Sequence, residues 1–149
     1  MRRTLIVLAL CLAIAAPAAA GVSDAGRKYL EKAAATKGAV KTPSGAVVIM
    51  LKKGTGAQPT RGSVVKVHYT GKLIDGKVFD SSVQRGEPAV FPLGGVIPCW
   101  TEGVQKIKVG GKARLVCPPE TAYGPEGRPP VIPPSAVLDF EVELLSIVK

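Results

Sequence analysis

A single segment within the strand-rich part of this chain has helical spacing, with Trp100, Val104 and Ile107 falling at i, i+4 and i+7. The surrounding sequence reads as strands. Residues 47–51 form a continuous apolar run closed by a Gly54-Thr55-Gly56 turn, and residues 64–70 place Val65, Val67 and Tyr69 on one face. Asp75-Gly76 is a hairpin signal between residues 72–74 and 77–79. Gly110-Gly111 ends the helix before a strand over 112–117, in which Ala113, Leu115 and Cys117 share one face, and the last strand alternates, with Leu138, Phe140, Val142 and Leu144 inward and Asp139, Glu141 and Glu143 outward. A sheet with one short helix to cover its apolar face has an economical packing. It is an α+β fold, a twisted antiparallel β-sheet half-wrapped around that helix. His68 falls on the face opposite Tyr69 and reads as a surface or edge residue rather than a catalytic base.

Residues 118–134 contain seven prolines and two glycines in 17 residues, which excludes regular structure and predicts a long loop. Loops of that length are functional or disordered, and Tyr123 and Ile132 within it argue for function.

At the N-terminus, Arg2 and Arg3 precede an apolar run over 5–16, and Ala18-Ala19-Ala20 offers small residues for cleavage, so residues 1–20 read as a signal peptide. A retained anchor would need about 20 apolar residues, and this run is shorter and is broken by Pro17. The expected destination is export, the periplasm or the exterior, without stable membrane insertion, and Cys11 is discarded with the leader. Removing 20 of 149 residues leaves 129, enough for one domain. The formal charge falls from +9 to +7, spread over Lys52, Lys53, Lys106, Lys108 and Lys112 rather than gathered in a tract. This reads as a solvated basic surface suited to anionic envelope components, not to nucleic acid. Ser23 can cap a helix stopping near Gly38, with few large apolar residues, giving a helical extension over 21–41 that is expected outside the core of a domain over 42–149. A monomer is expected.

Export makes pairing of Cys99 and Cys117 chemically possible; two buried, reduced thiols are the alternative. One histidine and two thiols make no metal constellation, since a structural zinc site takes four N or S ligands.

Aromatic residues make up only 5% of the chain, yet Tyr69, Phe79, Trp100, Tyr123 and Phe140 recur at intervals suited to lining a cavity, with Asp80 next to Phe79. Each has a plainer reading. Tyr69 and Phe140 on inward faces suit a core, Asp80 suits a turn, Trp100 suits packing, and Arg85 suits a solvated loop. The strings that carry them run Val67-His68-Tyr69-Thr70-Gly71, Phe79-Asp80-Ser81-Ser82, Val96-Ile97-Pro98-Cys99-Trp100, Ala122-Tyr123-Gly124, Ile132-Pro133-Pro134 and 138–144. In that order and spacing they resemble the FKBP-type peptidyl-prolyl cis-trans isomerases, including the exported bacterial type, over 42–149.

The resemblance implies an isomerase acting on X-Pro bonds of unfolded or exported polypeptides and inhibited by the macrolides tacrolimus and rapamycin. It implies no cofactor, because rotating an amide needs no nucleophile, metal or redox group. The alternative is a non-catalytic folding chaperone that uses the same apolar cavity to hold chains. Carried over residue by residue, Trp100 is the pocket floor, Tyr69, Phe79 and Phe140 are walls, and Val96 and Ile97 form the lip. Asp80 faces the twisting carbonyl, and Arg85 pairs with it or holds Tyr69. Tyr123 donates to a substrate carbonyl, and Ile132 closes the cavity. The chain departs from the family pattern at Ala89, where an aromatic flap residue is common, at Arg128, often histidine or apolar, and at Pro98-Cys99, where a basic residue and glycine are common.

Overall fold

The computed structural model describes residues 21–149; the signal-peptide reading of residues 1–20 lies outside them. The chain runs α1 (Asp24–Ala34), β1 (Val40–Lys41), β2 (Val47–Lys52), β3 (Val64–Leu73), β4 (Val78–Ser81), α2 (Ser82–Arg85), β5 (Ala89–Pro92), α3 (Pro98–Val104), β6 (Lys112–Cys117) and β7 (Leu138–Ile147). The strands form one antiparallel sheet in the order β1-β2-β6-β7-β3-β4, with β5 also pairing with β3. Strand β3 therefore carries β7 on one side and β5 then β4 on the other, bonded to β5 over Val64 to Val67 and to β4 over Thr70 to Lys72.

The two faces of the sheet bury different things, and side-chain alternation decides which. On the concave side Val48, Val65, Val67, Tyr69, Ala113, Leu115, Leu138, Phe140, Val142 and Leu144 pack against Cys99, Trp100, Val104 and Ile107 of α3 and the turn after it. Apart from Val48, whose apolar run has no alternation to assign a face, the strand residues are the inward ones expected from the pattern, and the short helix beginning near Trp100 is α3. Burying each of the larger ones contributes on the order of 1.5–3 kcal/mol before entropy is counted.

The opposite face is covered too. Ser23 caps α1, its hydroxyl accepting the Gly26 N–H at 3.0 Å. The helix then lays Tyr29, Leu30 and Ala33 on Val47, Ile49, Val116 and Val137. The extension is thus apart from the main core but closes a second, smaller one. Asp139, read as an outward residue of β7, lies under this helix: its carboxylate accepts the Tyr29 hydroxyl and the Arg114 guanidinium, with Nε to Oδ2 at 2.9 Å and Nη2 to Oδ2 at 2.6 Å. Only 12% of the Asp139 side chain is exposed. Two groups answer to this buried pair: the Asp139 contacts raise the Arg114 pKa above its ordinary value, and burial together with Asp139 raises that of Tyr29.

The 118–134 loop carries a single 3-10 turn, Pro119–Thr121, and an isolated antiparallel bridge between Arg128 and Ile132. It is more ordered than its proline content predicts, because backbone groups that cannot join a ladder bond within the loop.

Candidate active site

Strand register brings the pieces together. Gly71 of β3 pairs with Asp80 of β4 on one side and with Phe140 of β7 on the other. A Cβ at Gly71 would come within 2.6 Å of Phe79 and 2.8 Å of Phe140, so only glycine lets the two rings close over the strand. Phe79 and Phe140 then meet edge to face, with ring centroids 5.5 Å apart.

Trp100 is the hub. It meets Tyr69 at 5.1 Å, Phe140 at 5.4 Å and Phe91 at 5.5 Å, each nearly perpendicular. Pro98 opens α3, where its missing N–H leaves no helical bond unmade, and the helix aims the indole at the sheet. Among the described residues, Trp100 Nε1 is the one buried side-chain polar atom without a hydrogen-bond partner. The Sγ atoms of Cys99 and Cys117 lie at bonding distance, 2.04 Å, joining the first turn of α3 to the end of β6.

These rings line a cavity of about 380 Å³ whose remaining walls are Asp80, Gly95, Val96, Ile97, Tyr123 and Arg128. It lies at the small end of the range for ligand sites. Its inner walls are aromatic and aliphatic; the charged groups Asp80 and Arg128 are both only partly buried or exposed.

Asp80 is held by a local device. Ser81 caps α2, its hydroxyl accepting the Gln84 N–H at 3.2 Å, and the single turn that follows returns Arg85 to Asp80. The guanidinium donates to Asp80 Oδ1 and, at 3.1 Å, to the Tyr69 hydroxyl, while that hydroxyl donates to Asp80 Oδ2 at 2.5 Å. Burial pushes the Asp80 pKa up, but the hydrogen bonds from Tyr69 and Arg85 and the Arg85 charge outweigh it and hold the carboxyl below its ordinary value. Burial and then the bond to Asp80 push Tyr69 the other way, above the usual phenol range. The result is a carboxylate that stays ionised and a phenol that stays protonated.

Of the residues singled out from the sequence, Tyr69, Phe79, Asp80, Val96, Ile97, Trp100, Tyr123 and Phe140 all line the cavity. Arg85 makes both contacts considered for it. Ile132 does not line that cavity. It is buried, 4% exposed, and borders an adjoining depression of about 270 Å³ that shares Phe79, Asp80, Tyr123 and Arg128 with it. His68 lies on the other side of β3, with Nδ1 2.9 Å from Ser82 Oγ.

Phe91 is a wall residue that the sequence pattern did not single out. The signal was present: Ala89 and Phe91 alternate with Val90 and Pro92 on a four-residue strand, and both pack toward the core.

Fold and site together define a class. The family of FKBP-type peptidyl-prolyl cis-trans isomerases matches residues 55–145, and the chain belongs to it. Among curated proteins, the chain is 54% identical over 122 residues to the FKBP-type 22 kDa peptidyl-prolyl cis-trans isomerase of Escherichia coli, covering 82% of this chain and 59% of that one. It is 53% identical over 106 residues to FK506-binding protein 1 of Rhizopus delemar, covering 69% of this chain and 98% of that one. Among solved structures, FkpA from Escherichia coli superimposes with a TM-score of 0.78 at 51% identity, over 82% of this chain and 57% of that one. A peptidyl-prolyl cis-trans isomerase from Pseudomonas syringae gives 0.80 at 37% identity, over 90% and 98%. The chain spans about half the length of several curated bacterial relatives it matches.

Proposed function

We propose that this protein catalyses cis-trans isomerisation of X-Pro bonds in polypeptides. The observation that carries the reading is the aromatic cavity floored by Trp100, with an ionised carboxylate, Asp80, fixed at its rim.

An X-Pro bond resists rotation by roughly 18–20 kcal/mol because resonance keeps the amide planar, and unaided it relaxes over tens to hundreds of seconds. Catalysis therefore requires a site that binds the twisted amide better than either planar isomer. The prolyl ring enters the cavity over Trp100, between Tyr69, Phe79, Phe91 and Phe140. The carbonyl before proline sits at the rim by Asp80 and Tyr123. Water bonded to that carbonyl favours the planar, charge-separated form; the apolar walls displace that water and favour the twisted form. Tyr123 donates to a substrate carbonyl and fixes the backbone. Asp80, its charge balanced by Arg85, sets the electrostatic environment of the rotating carbonyl rather than transferring a proton. Each tenfold of rate asks for about 1.4 kcal/mol, so a millionfold acceleration needs roughly 8 kcal/mol of differential binding.

The leader-like residues 1–20 and the cysteine pair support export, with proline-limited folding of exported chains as the setting and the Cys99–Cys117 bond formed there. Refolding of a substrate protein whose slow phase is proline isomerisation separates catalysis from mere holding. A catalyst shortens that phase at substoichiometric concentration. A holding protein leaves it unchanged or slows it, and that result would contradict the reading.

A further inference from the structure

We infer that Arg128 makes this site favour a carboxylate side chain over its neutral isostere immediately before the proline; the inference rests on the isomerase reading and adds a specificity-determining residue to it. Arg128 borders both the main cavity and the adjoining depression, and Phe79, Asp80 and Tyr123 are the other residues the two share. The shared rim is where the carbonyl before proline sits in the proposed complex. A side chain of the same residue that turns toward Arg128 enters the adjoining depression, whose volume of about 270 Å³ accepts a glutamate.

The Arg128 charge is free to be used. Arg27, Arg85, Lys112 and Arg114 each have a carboxylate partner, whereas no carboxylate lies within 4.0 Å of Arg128 among the described residues. Asp80, the acidic group sharing its cavities, is already engaged by Arg85 and the Tyr69 hydroxyl, so it neither neutralises Arg128 nor repels an incoming carboxylate at full strength. Glu126, two residues away, is exposed and makes no ion pair.

The loop that carries the guanidinium is also held in place. Its backbone is clamped in both directions to Ile132, by Arg128 N–H to Ile132 O at 2.8 Å and Ile132 N–H to Arg128 O at 2.9 Å. Gly127 ahead of it has φ +67°, and a Cβ there would meet the Pro133 carbonyl oxygen at 2.4 Å, so the loop has one tight path. The guanidinium then rests 5.8 Å from the centroid of the Tyr123 ring. A positive charge already placed beside the group that binds substrate loses less freedom when a carboxylate arrives than a free side chain would.

The test is the specificity constant for a peptide series, Glu-Pro, Gln-Pro, Lys-Pro and Leu-Pro, at low and high ionic strength, with wild type, Arg128→Gln and Arg128→Glu. Wild type should favour Glu-Pro over its isostere Gln-Pro by about 1.5-fold to fivefold, the range of an exposed ion pair, and the preference should shrink as salt is raised. Arg128→Gln should bring the Glu-Pro to Gln-Pro ratio to about one, and Arg128→Glu should turn the preference toward Lys-Pro. The ratio is internal to each protein, so a general loss of activity in a variant does not affect it. Activity on Leu-Pro and Gln-Pro without a Glu-Pro preference in wild type would overturn the inference and leave the isomerase reading standing. An undiminished ratio in Arg128→Gln would overturn the assignment to Arg128. Turnover of no peptide in the series would overturn the isomerase reading itself and this inference with it.

Discussion

The hydroxyl of Tyr69 donates to Asp80 at 2.5 Å from across the β3–β4 pair, and Arg85 bonds to both. This triangle fixes the one carboxylate that lines the cavity among the described residues and keeps it charged. It sits directly against the aromatic wall, so the electrostatics of the site depend on the packing of one ring.

Phe79→Ala and Asp80→Ala should lower kcat/KM far more than they lower stability. Phe79 is half-buried at the opening and shapes the cavity, while Asp80 acts on the carbonyl. Trp100→Ala should damage both, because removing a buried aromatic costs about 3–5 kcal/mol. Denaturant titration beside peptide kinetics separates the effects. Full activity in Asp80→Ala would show that the carboxylate has no part in catalysis.

The pH response follows from the direction of the Asp80 shift. A carboxyl held below its ordinary value when folded adds stability above its unfolded pKa, and that contribution is lost as pH falls through the lower, folded value. Activity dependent on ionised Asp80 should therefore hold steady from neutral pH down to about 4, the ordinary carboxylate range, and fall only below it. Tyr69→Phe removes one of the bonds holding the pKa down, so its acid limb should move to higher pH. Profiles of kcat/KM for the two proteins check this; an unmoved limb would contradict it.

Joining Cys99 to Cys117 closes a loop with a sequence separation of 18, which the chain-entropy estimate values at about 3 kcal/mol. Reduction should lower the melting temperature and weaken ligand binding at the Trp100 floor. Mass spectrometry of the unreduced, alkylated, denatured protein decides whether the bond forms: two alkyl adducts on the exported chain would mean free thiols.

Asp139→Ala should destabilise the protein by about 1.5–3 kcal/mol, the range for hydrogen bonds to charged groups, since it strands Arg114 and releases Tyr29 of α1. The change lies on the face away from the cavity. Peptide isomerisation by the folded fraction should therefore stay near wild type, and a large loss of kcat would show coupling between the two faces.

Much of this architecture was legible because period-two alternation is clear in β3 and β7 and one helical spacing interrupts the strands. Alternation says which residues share a face, but not whether something covers the other face. Hence Asp139 read as solvent-facing although α1 lies over it. Ile132 borders the adjoining depression rather than the main cavity for a related reason: a proline-rich loop has no period to count, and its path is decided by backbone bonds such as the Arg128–Ile132 clamp. Phe91 was missed because a four-residue strand offers too few alternations to stand out.

The central claim is that the aromatic cavity lowers the rotation barrier of an X-Pro bond. It is tested most directly by following cis-to-trans conversion of a Leu-Pro peptide in a protease-coupled assay, with and without rapamycin. The account predicts a rate that rises in proportion to protein concentration and returns to the uncatalysed value when the macrolide fills the cavity. An uncatalysed rate at micromolar protein, with the fold intact, would contradict it.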